Sequence, residues 1–366
     1  MVVVTGWLPA GQARDVALSR GGPVLGFLVA ITVLAELADR AGVFDAAAGA
    51  CARLAGGSTL RLFLLVAALG TATTVGMSLD TTAVLLTPVV LTLTDRLGLR
   101  PLPFALLAVW LANTTSLLLP VSNLTNLLAL QRAHLSTVAF ASRMALPEAA
   151  ALLITVGYLG LVFRRDLTGR YQPPTRAVPQ DIPTLLVCAS ACLALAPAVL
   201  AGAPPWAAAA PCAAAAVVVF AVRRRRELGW SLIPWRLLVL TEGLFLVVTA
   251  VADHGLTDLL QRLSGDSVLR TATVAGAASN AVNNLPAYLA IEPVAPPGHT
   301  TQLLGVLLGT NGGPLILLWG SLATLLWRER CKARGLHIHP ARFAIVGLGG
   351  VPLILLGTWA ALIVTG

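Results

Sequence analysis

The acidic residue Asp80 stands in the middle of a long apolar stretch at 60–94, within the sequence SLDTTAVLLTP. A carboxylate inside a bilayer is costly, so acidic residues in long apolar segments usually carry protons or bind cations. No basic residue lies close to Asp80 in the sequence to neutralise it. We therefore predict that Asp80 is a proton- or cation-carrying group, and that Thr81 and Thr82 beside it belong to the same binding site.

Amide and hydroxyl side chains interrupt three further apolar stretches, of which LANTTSLLLPVSNLTNLLAL at 111–130 is the richest. Each such group costs several kcal/mol in hydrocarbon unless it finds a hydrogen-bond partner. Such groups are tolerated where broken helices line a substrate or ion cavity, or where polar side chains hold packed helices together. We favour the cavity for the clusters as a set. The predicted binding residues in them are Asn113, Thr114, Thr115, Ser122, Asn123, Asn126, Asn283, Asn284, Asn311, Ser321 and Thr324.

Glutamate is rare in the apolar segments. Glu242 lies inside the segment 233–251, and we predict that it couples protons together with Asp80. Glu36 and Glu148 stand near the ends of their segments, so we expect both to lie at the membrane interface.

Patterns typical of an enzyme or a cofactor site are missing from the sequence. It contains no G-x-x-x-x-G-K-[ST] stretch for nucleotide binding, no His/Glu metal pattern and no nucleophile constellation. The five cysteines show no paired spacing of a metal or disulfide site. We therefore predict no enzymatic activity, no cofactor and no metal site, so that ATP could act only through a separate soluble partner.

The composition is that of an integral membrane protein, with 57% hydrophobic and 11% charged residues and a mean hydropathy of +0.83. Its apolar runs match the roughly 20 residues that a helix needs to cross a bilayer. They are too long and too unalternating for the strands of a membrane barrel. The fold class predicted from composition is an all-α polytopic membrane protein.

The net charge of +9 comes from basic residues in short connections rather than from a basic surface. Clusters of arginine lie at 164–176, 223–226 and 328–342. This distribution follows the positive-inside rule, so we place these loops in the cytoplasm and the protein, with several spans, in the inner (plasma) membrane. The lipid bilayer is thus the expected partner, and nucleic acid is not.

Counting spans between the basic loops predicts two re-entrant hairpins. If both 268–293 and 301–327 were full spans, the basic loop at 328–342 would fall outside the cell, against the charge rule. The break at Asn283, Asn284 and Pro286 makes 268–293 the better hairpin. Counting backward makes 60–94 a second hairpin that opens to the opposite side.

The two halves of the chain repeat the same order of parts. When Asn113 is laid on Asn311, Asn123 falls on Ser321 and Asn126 falls on Thr324. Each of these segments follows a hairpin with a polar centre, and each hairpin follows a span with a similar turn, ADRAGVFD or ADHGLTD. Repeats of opposite orientation that each contain a re-entrant hairpin and a broken transmembrane helix are typical of secondary transporters.

The predicted organisation has four parts. They are an N-terminal segment, 1–21; a first inverted repeat, 22–163, with its hairpin at about 60–94 and its broken helix at about 101–130; a connecting helix pair with basic loops, 164–232; and a second inverted repeat, 233–366, with its hairpin at about 268–293 and its broken helix at about 301–327.

Five motifs resemble one transporter family: SLDTTAVLLTP, ANTTSLLLPVSNLTN, VNNLP, GTNGGP and GSLATLLW. They are similar to those of the arsenical pump membrane proteins, the arsenite and antimonite permeases of the ion transporter superfamily. The resemblance covers about residues 15 to 366. It implies efflux of trivalent metalloid hydroxides by proton exchange, sometimes with a soluble ATPase partner.

Several positions depart from the family pattern. Leu79 stands where the family usually has Asn, Asn113 where it often has Asp, and Leu317 with Leu318 where Thr-Pro is usual. We also expect two helices equivalent to 183–222 to be absent ahead of the first repeat. These differences bear more on the substrate and the coupling ion than on the fold.

The leading functional hypothesis is export of arsenite- or antimonite-type oxyacids. The predicted cavity offers amides and hydroxyls without Arg or Lys, which suits a small neutral polyhydroxyl species, and protonation of Asp80 would couple export to the proton gradient. The alternatives are a sodium-coupled carboxylate or sulfate symporter and a sodium/proton antiporter of the same superfamily. Helix N-termini and a bound cation could neutralise an anion without arginine.

Overall fold

The computed structural model describes most of the chain as helices. The described residues are Pro9, Gly11, Arg14 and the ranges 22–175, 181–251, 257–296 and 298–365. Within these ranges there is no β-strand, only an isolated bridge between Ser58 and Arg170. Most of the predicted N-terminal segment 1–21 and most of the turn 252–258 lie outside the described residues. The predicted all-α fold class is confirmed.

The first half consists of a span, a short helix, a hairpin, a broken helix and a second span. In chain order these are α1 (Gly22–Arg40), α2 (Val43–Leu54), α3 (Thr59–Gly76), α4 (the continuous run of Leu79–Thr81, the π-helical Thr82–Leu86 and Thr87–Arg96), α5 (Pro101–Thr114), α6 (Leu124–Ala133) and α7 (Thr137–Val162). The hairpin of α3 and α4 turns at Met77 and Ser78, and the break between α5 and α6 follows Thr114.

A connecting helix pair joins the two halves, and the second half repeats the element order of the first. The pair is α8 (Ile182–Leu200) and α9 (Pro205–Arg223), and the second half is α10 (Trp235–Val251), α11 (Thr257–Ser264), α12 (Val268–Val282), α13 (Asn284–Ile291), α14 (Thr300–Gly312), α15 (Leu322–Ala333) and α16 (Pro340–Thr365). Asp181 is the N-cap of α8 and forms an ion pair of 2.9 Å with Arg223 at the end of α9. This ion pair joins the two helices. The Thr184 hydroxyl and the Arg223 guanidinium hold the pKa of Asp181 below its usual range.

Helix length separates full spans from broken ones. Among the described residues, seven helical segments are long and apolar enough to cross a membrane, and one of them is α3, an arm of the first hairpin. The 13 residues of α14 extend only about 20 Å, whereas the hydrocarbon core is about 30 Å thick. Helices α5 and α14 therefore end inside the membrane, and each chain crossing is completed by α6 or α15.

The basic connections converge on one face of the molecule. Arg100 pairs with Asp166 at 2.6 Å, and the Thr59 hydroxyl donates to the Gly169 carbonyl at 2.8 Å, so both ends of the α3–α4 hairpin lie beside the loop that follows α7. Arg334, at the end of α15, donates to the Thr92 hydroxyl on the same hairpin. These contacts define a basic face.

The second hairpin opens to the opposite face. The side-chain amide of Gln302, near the start of α14, donates to the Gly265 carbonyl just before α12 at 3.0 Å. Since α14 and α15 together run from that point to Arg334 at the basic face, the α12–α13 hairpin begins on the other side. The two repeats are thus inverted, which confirms the predicted fold class.

The second repeat depends on close contact between α12 and α14. A Cβ atom placed on Gly309 would overlap the backbone of Ala272, and one placed on Gly313 would overlap Gly276. Small residues at such positions let two helix backbones approach without lipid between them. This close packing fixes the height at which α14 breaks relative to the hairpin.

We expect Gly309→Ala to destabilise the protein, because the added methyl group meets backbone that cannot move aside. Overpacking of this kind costs about 1–3 kcal/mol. The measurement is the apparent melting temperature of the purified protein in detergent. Gly26→Ala, in α1, is the matched control, because its Cβ would meet no atom within 4 Å. Equal melting temperatures for the two variants would contradict the assigned packing.

Candidate functional site

The two broken helices resume at capped N-termini in the middle of the molecule. Asn123 is the N-cap of α6 and its side-chain oxygen accepts from Thr125 N at 3.2 Å. Ser321 is the N-cap of α15 and accepts from Thr324 N at 3.0 Å. Both residues are extended, as N-caps usually are. The N-termini of α6 and α15, which carry partial positive charge, therefore point toward the same region.

A buried hydrogen-bond network joins the two repeats at this point. The Asn311 side-chain oxygen accepts from the Asn123 amide at 2.6 Å and from the Thr125 hydroxyl at 3.4 Å. The Asn311 amide donates to the Asn126 side-chain oxygen at 3.1 Å. All four side chains are at most 4% exposed. Asn311, in the second repeat, is thus the centre of a network that is otherwise built from the first.

The reciprocal contact relates the repeats by approximate two-fold symmetry. Asn113 matches Asn311 in the repeat alignment, and Thr324 matches Asn126. The contact between Asn311 and Asn126 has a counterpart in the Asn113 amide, which faces the Thr324 hydroxyl at 3.5 Å. The Ser321 hydroxyl lies 2.8 Å from the same Thr324 hydroxyl. The Asn113 side-chain oxygen has no hydrogen-bond partner among the described residues.

Asp80 lies beside this network, in the first turn of α4. Ser78 caps that turn and accepts from Thr81 N at 3.2 Å. Asp80 and Asn123 both line a cavity of about 150 Å³ between α1, the tip of the first hairpin and the start of α6. Thr81 also lines it, and no described lining residue is basic. Two acidic groups, Asp80 and Glu36, and an amide thus share a small, partly open space.

Four other predicted residues mainly hold the site's helices in place. The Ser122 hydroxyl donates to Val75 O at 3.0 Å, which joins the first break to the first hairpin. Thr82 lies 2.8 Å from Thr74 across that hairpin. Thr114 and Thr115 bond back to their own helix, and Thr114 also contacts Thr155 on α7 at 2.9 Å. These four hydroxyls have partners away from the cavity.

The predicted residues of the second hairpin lie at its tip. Asn283 has a φ of +87° and a ψ of 154°, a backbone conformation that residues other than glycine rarely adopt, and its amide donates to Trp319 O at 3.1 Å. Asn284 is buried at the start of α13. Asn283 thus lies against the second break.

Sequence reasoning missed Asn280, which holds the second hairpin to the second break. Its side-chain oxygen accepts from Ile316 N at 3.2 Å and Leu317 N at 2.9 Å, and its amide donates to Gly313 O at 2.8 Å. Asn280 lies one helical turn before Asn283, a spacing that could have indicated a shared face. Its role is to satisfy backbone that the break leaves free.

Of the three remaining acidic residues, Glu36 lines the Asp80 cavity and pairs with Arg40 at 2.9 Å, whereas Glu242 and Glu148 lie elsewhere. Glu242 does not line the cavity of Asp80, although Leu237 on the same helix does, so the structure does not bring the two predicted proton-coupling residues together. The prediction that Glu148 lies at the membrane interface is wrong. Glu148 is 5% exposed and accepts from Leu117 N at 2.9 Å, because α7 begins earlier, at Thr137, than the apolar run suggested.

Comparison with known proteins places the chain among transporters. Residues 1–319 match the citrate transporter family. The chain is 30% identical to an arsenical pump membrane protein of Yersinia enterocolitica and 29% identical to one of Escherichia coli, in each case over 91% of this chain and 84% of the relative. The YdaH transporter of Alcanivorax borkumensis has the same fold, with a TM-score of 0.56 at 15% identity over 98% of this chain and 89% of that one.

Proposed function

Since the chain belongs to the arsenical pump membrane protein family, and so is a multi-pass secondary transporter, we propose that it exports trivalent metalloid hydroxides in exchange for protons. Arsenite and antimonite are the proposed substrates. The proposed location is the inner membrane, with the basic face in the cytoplasm as the positive-inside rule requires.

The observation that carries the substrate proposal is the chemistry of the cavity. Its described lining includes two acids, Asp80 and Glu36, an amide and hydroxyls but no arginine or lysine. A multiply charged carboxylate would meet the Asp80 carboxylate without a basic counter-charge. A neutral As(OH)₃ or Sb(OH)₃ molecule can instead donate its hydroxyl protons to the oxygens that line the cavity, such as those of Asn123 and Asp80.

Asp80 is the proposed coupling residue. In the proposed cycle the metalloid hydroxide and a proton compete at Asp80, so that export of one molecule requires entry of a proton. The hairpins and broken helices would move relative to α7 and α16, whose mutual packing makes them a rigid scaffold. Such movement exposes the cavity first to the basic face and then to the opposite face.

Two features support a sodium-coupled anion symporter as the second candidate. The chain matches the citrate transporter family, and the N-termini of α6 and α15 carry partial positive charge toward the site. A sodium/proton antiporter is less favoured, because Glu242 does not line the Asp80 cavity. Any use of ATP would come through a separate soluble ATPase at the basic face.

The test is metalloid resistance in a bacterial strain that lacks its own efflux system. We expect cells that express the protein to contain less arsenite and antimonite than cells with an empty vector, and to grow at higher concentrations of both. The same membranes are assayed for sodium-dependent citrate uptake. Unchanged metalloid content together with citrate uptake would overturn the proposal in favour of the symporter.

A further inference from the structure

Glu148 is a buried carboxyl group that the proposed cycle does not yet use. It lies 11 residues after the start of α7 at Thr137, a depth of about 16 Å along a helix of about 39 Å, and therefore near the middle of the membrane. We propose that Glu148 is a second proton site, an inference that rests on the proposed proton exchange. Glu148 binds a proton when the first broken helix is in the position seen here and releases it when that helix moves.

The two carboxyl oxygens of Glu148 have different surroundings. Oε2 accepts from Leu117 N at 2.9 Å, in the break between α5 and α6, and Leu118 N also faces the carboxyl group. Oε1 is fully enclosed and has no hydrogen-bond partner among the described residues. A free carboxylate oxygen without a partner is unstable in such a place, whereas a protonated oxygen carries no charge.

Glu148 forms no ion pair in the described part of the chain, and Arg143, five residues earlier on α7, is not within ion-pair distance of it. Helix α7 packs against α3, α5, α8 and α16. Helix α5 has no ionisable residue at all. The ionisable residues on the other three helices and on α7 itself are Arg61, Cys188, Cys192, Arg342, Arg143 and Tyr158. Arg61 and Arg342 lie in the first turns of their helices at the basic face, well away from the mid-membrane position of Glu148.

The ligand is a proton rather than a metal cation because of the groups that surround it. A bound sodium ion needs several oxygen ligands, but the groups that contact Glu148 are backbone N–H donors, which repel a cation. A proton needs only Oε1. Protonation converts the carboxylate to a neutral acid while Oε2 keeps its bond to Leu117 N, so no other group has to change.

The bond to Leu117 gives the proton site a connection to transport. Glu148 belongs to the scaffold helix α7, whereas Leu117 belongs to the break that carries Asn123 and Asn126. The repeat alignment places Leu118 on Ile316, and in the second repeat the free N–H groups of that break are satisfied by the neutral amide of Asn280 instead. The first repeat therefore has an acid where the second has an amide, and only the acid can exchange a proton.

The experiment compares wild type with Glu148→Gln in reconstituted vesicles, measuring protons moved per antimonite molecule. Glutamine keeps an oxygen for Leu117 N but cannot release a proton. We expect the variant to fold, to transport antimonite, and to move one proton fewer per antimonite than wild type. The infrared band of a protonated carboxylic acid should also be weaker in the variant, a readout that does not depend on transport. Glu148→Asp, which retains an acid, is measured in parallel and is expected to keep both signals.

The outcomes separate the two proposals. If wild type moves antimonite without protons, the proposed function fails at its coupling ion. If wild type exchanges protons but Glu148→Gln has the same stoichiometry and an unchanged infrared spectrum, Glu148 only positions the break and the inference is overturned. If Glu148→Gln does not fold, a loss of the proton signal in Glu148→Asp also contradicts the inference.

Discussion

Replacement of Asp80 by asparagine is expected to reduce pH-gradient-driven antimonite accumulation to the level of vesicles without the protein. The asparagine has nearly the same size and still lines the cavity, but it cannot carry a proton. A gradient can drive transport only through a group whose binding differs between the two states, and Asp80 is that group in the proposed cycle. The measurement is antimonite uptake by inside-out membrane vesicles with an acidic interior.

The matched control for this prediction is Asp166→Asn at the basic face. Asp166 pairs with an Arg100 side chain that is 79% exposed, and exposed pairs contribute at most about 1 kcal/mol. We expect this variant to accumulate antimonite like wild type at equal membrane expression. Persistent accumulation by Asp80→Asn would remove Asp80 from the coupling mechanism.

Replacement of Asn311 by alanine is expected to disorganise the junction between the two repeats. The change leaves the Asn123 amide and the Asn126 side-chain oxygen without their cross-repeat partner, at about 1–3 kcal/mol for each buried group left unpaired. Since Asn123 also caps α6, the start of that half-helix loses its fixed position. We expect a melting temperature lowered by several degrees and a loss of antimonite transport.

The repeat itself supplies the control for Asn311→Ala. Asn113 is the matching residue, but its only cross-repeat bond has a length of 3.5 Å and its oxygen has no partner among the described residues. Asn113→Ala should therefore lower the melting temperature less than Asn311→Ala, although it removes an amide of the same kind. An equal or larger loss of stability for Asn113→Ala would show that the network has been assigned incorrectly.

The fold class was predictable because membrane constraints act on the sequence directly. The long apolar runs predict membrane helices, and arginine in short loops fixes which loops lie on the cytoplasmic side. The number of crossings between those loops then requires two hairpins of opposite orientation. The pairing of Asn113 with Asn311 and of Asn126 with Thr324 followed from residue order. Their contacts across the molecule follow from the inverted symmetry that the same order implied.

The contacts of Glu148 and Asn280 could not be predicted in the same way. Polar residues in the first turns of α7 lower the local hydropathy, so hydropathy places the start of this helix too late in the sequence. From the sequence, Glu148 is therefore predicted to lie at the membrane interface. The amide of Asn280 satisfies backbone N–H groups more than 30 positions away in the sequence, a match that depends on how the hairpin packs against the break. The absence of Glu242 from the Asp80 cavity could not be predicted for a related reason, since a position inside a span does not say which cavity a side chain reaches.

The most direct test of the account uses purified protein in sealed liposomes with a pH-sensitive dye inside. An antimonite gradient is imposed without sodium, without ATP and without any pH difference. The account predicts that antimonite moving in one direction drives protons in the other, and that Asp80→Asn abolishes the dye signal. Antimonite movement without a change in internal pH, or a requirement for sodium, would contradict it.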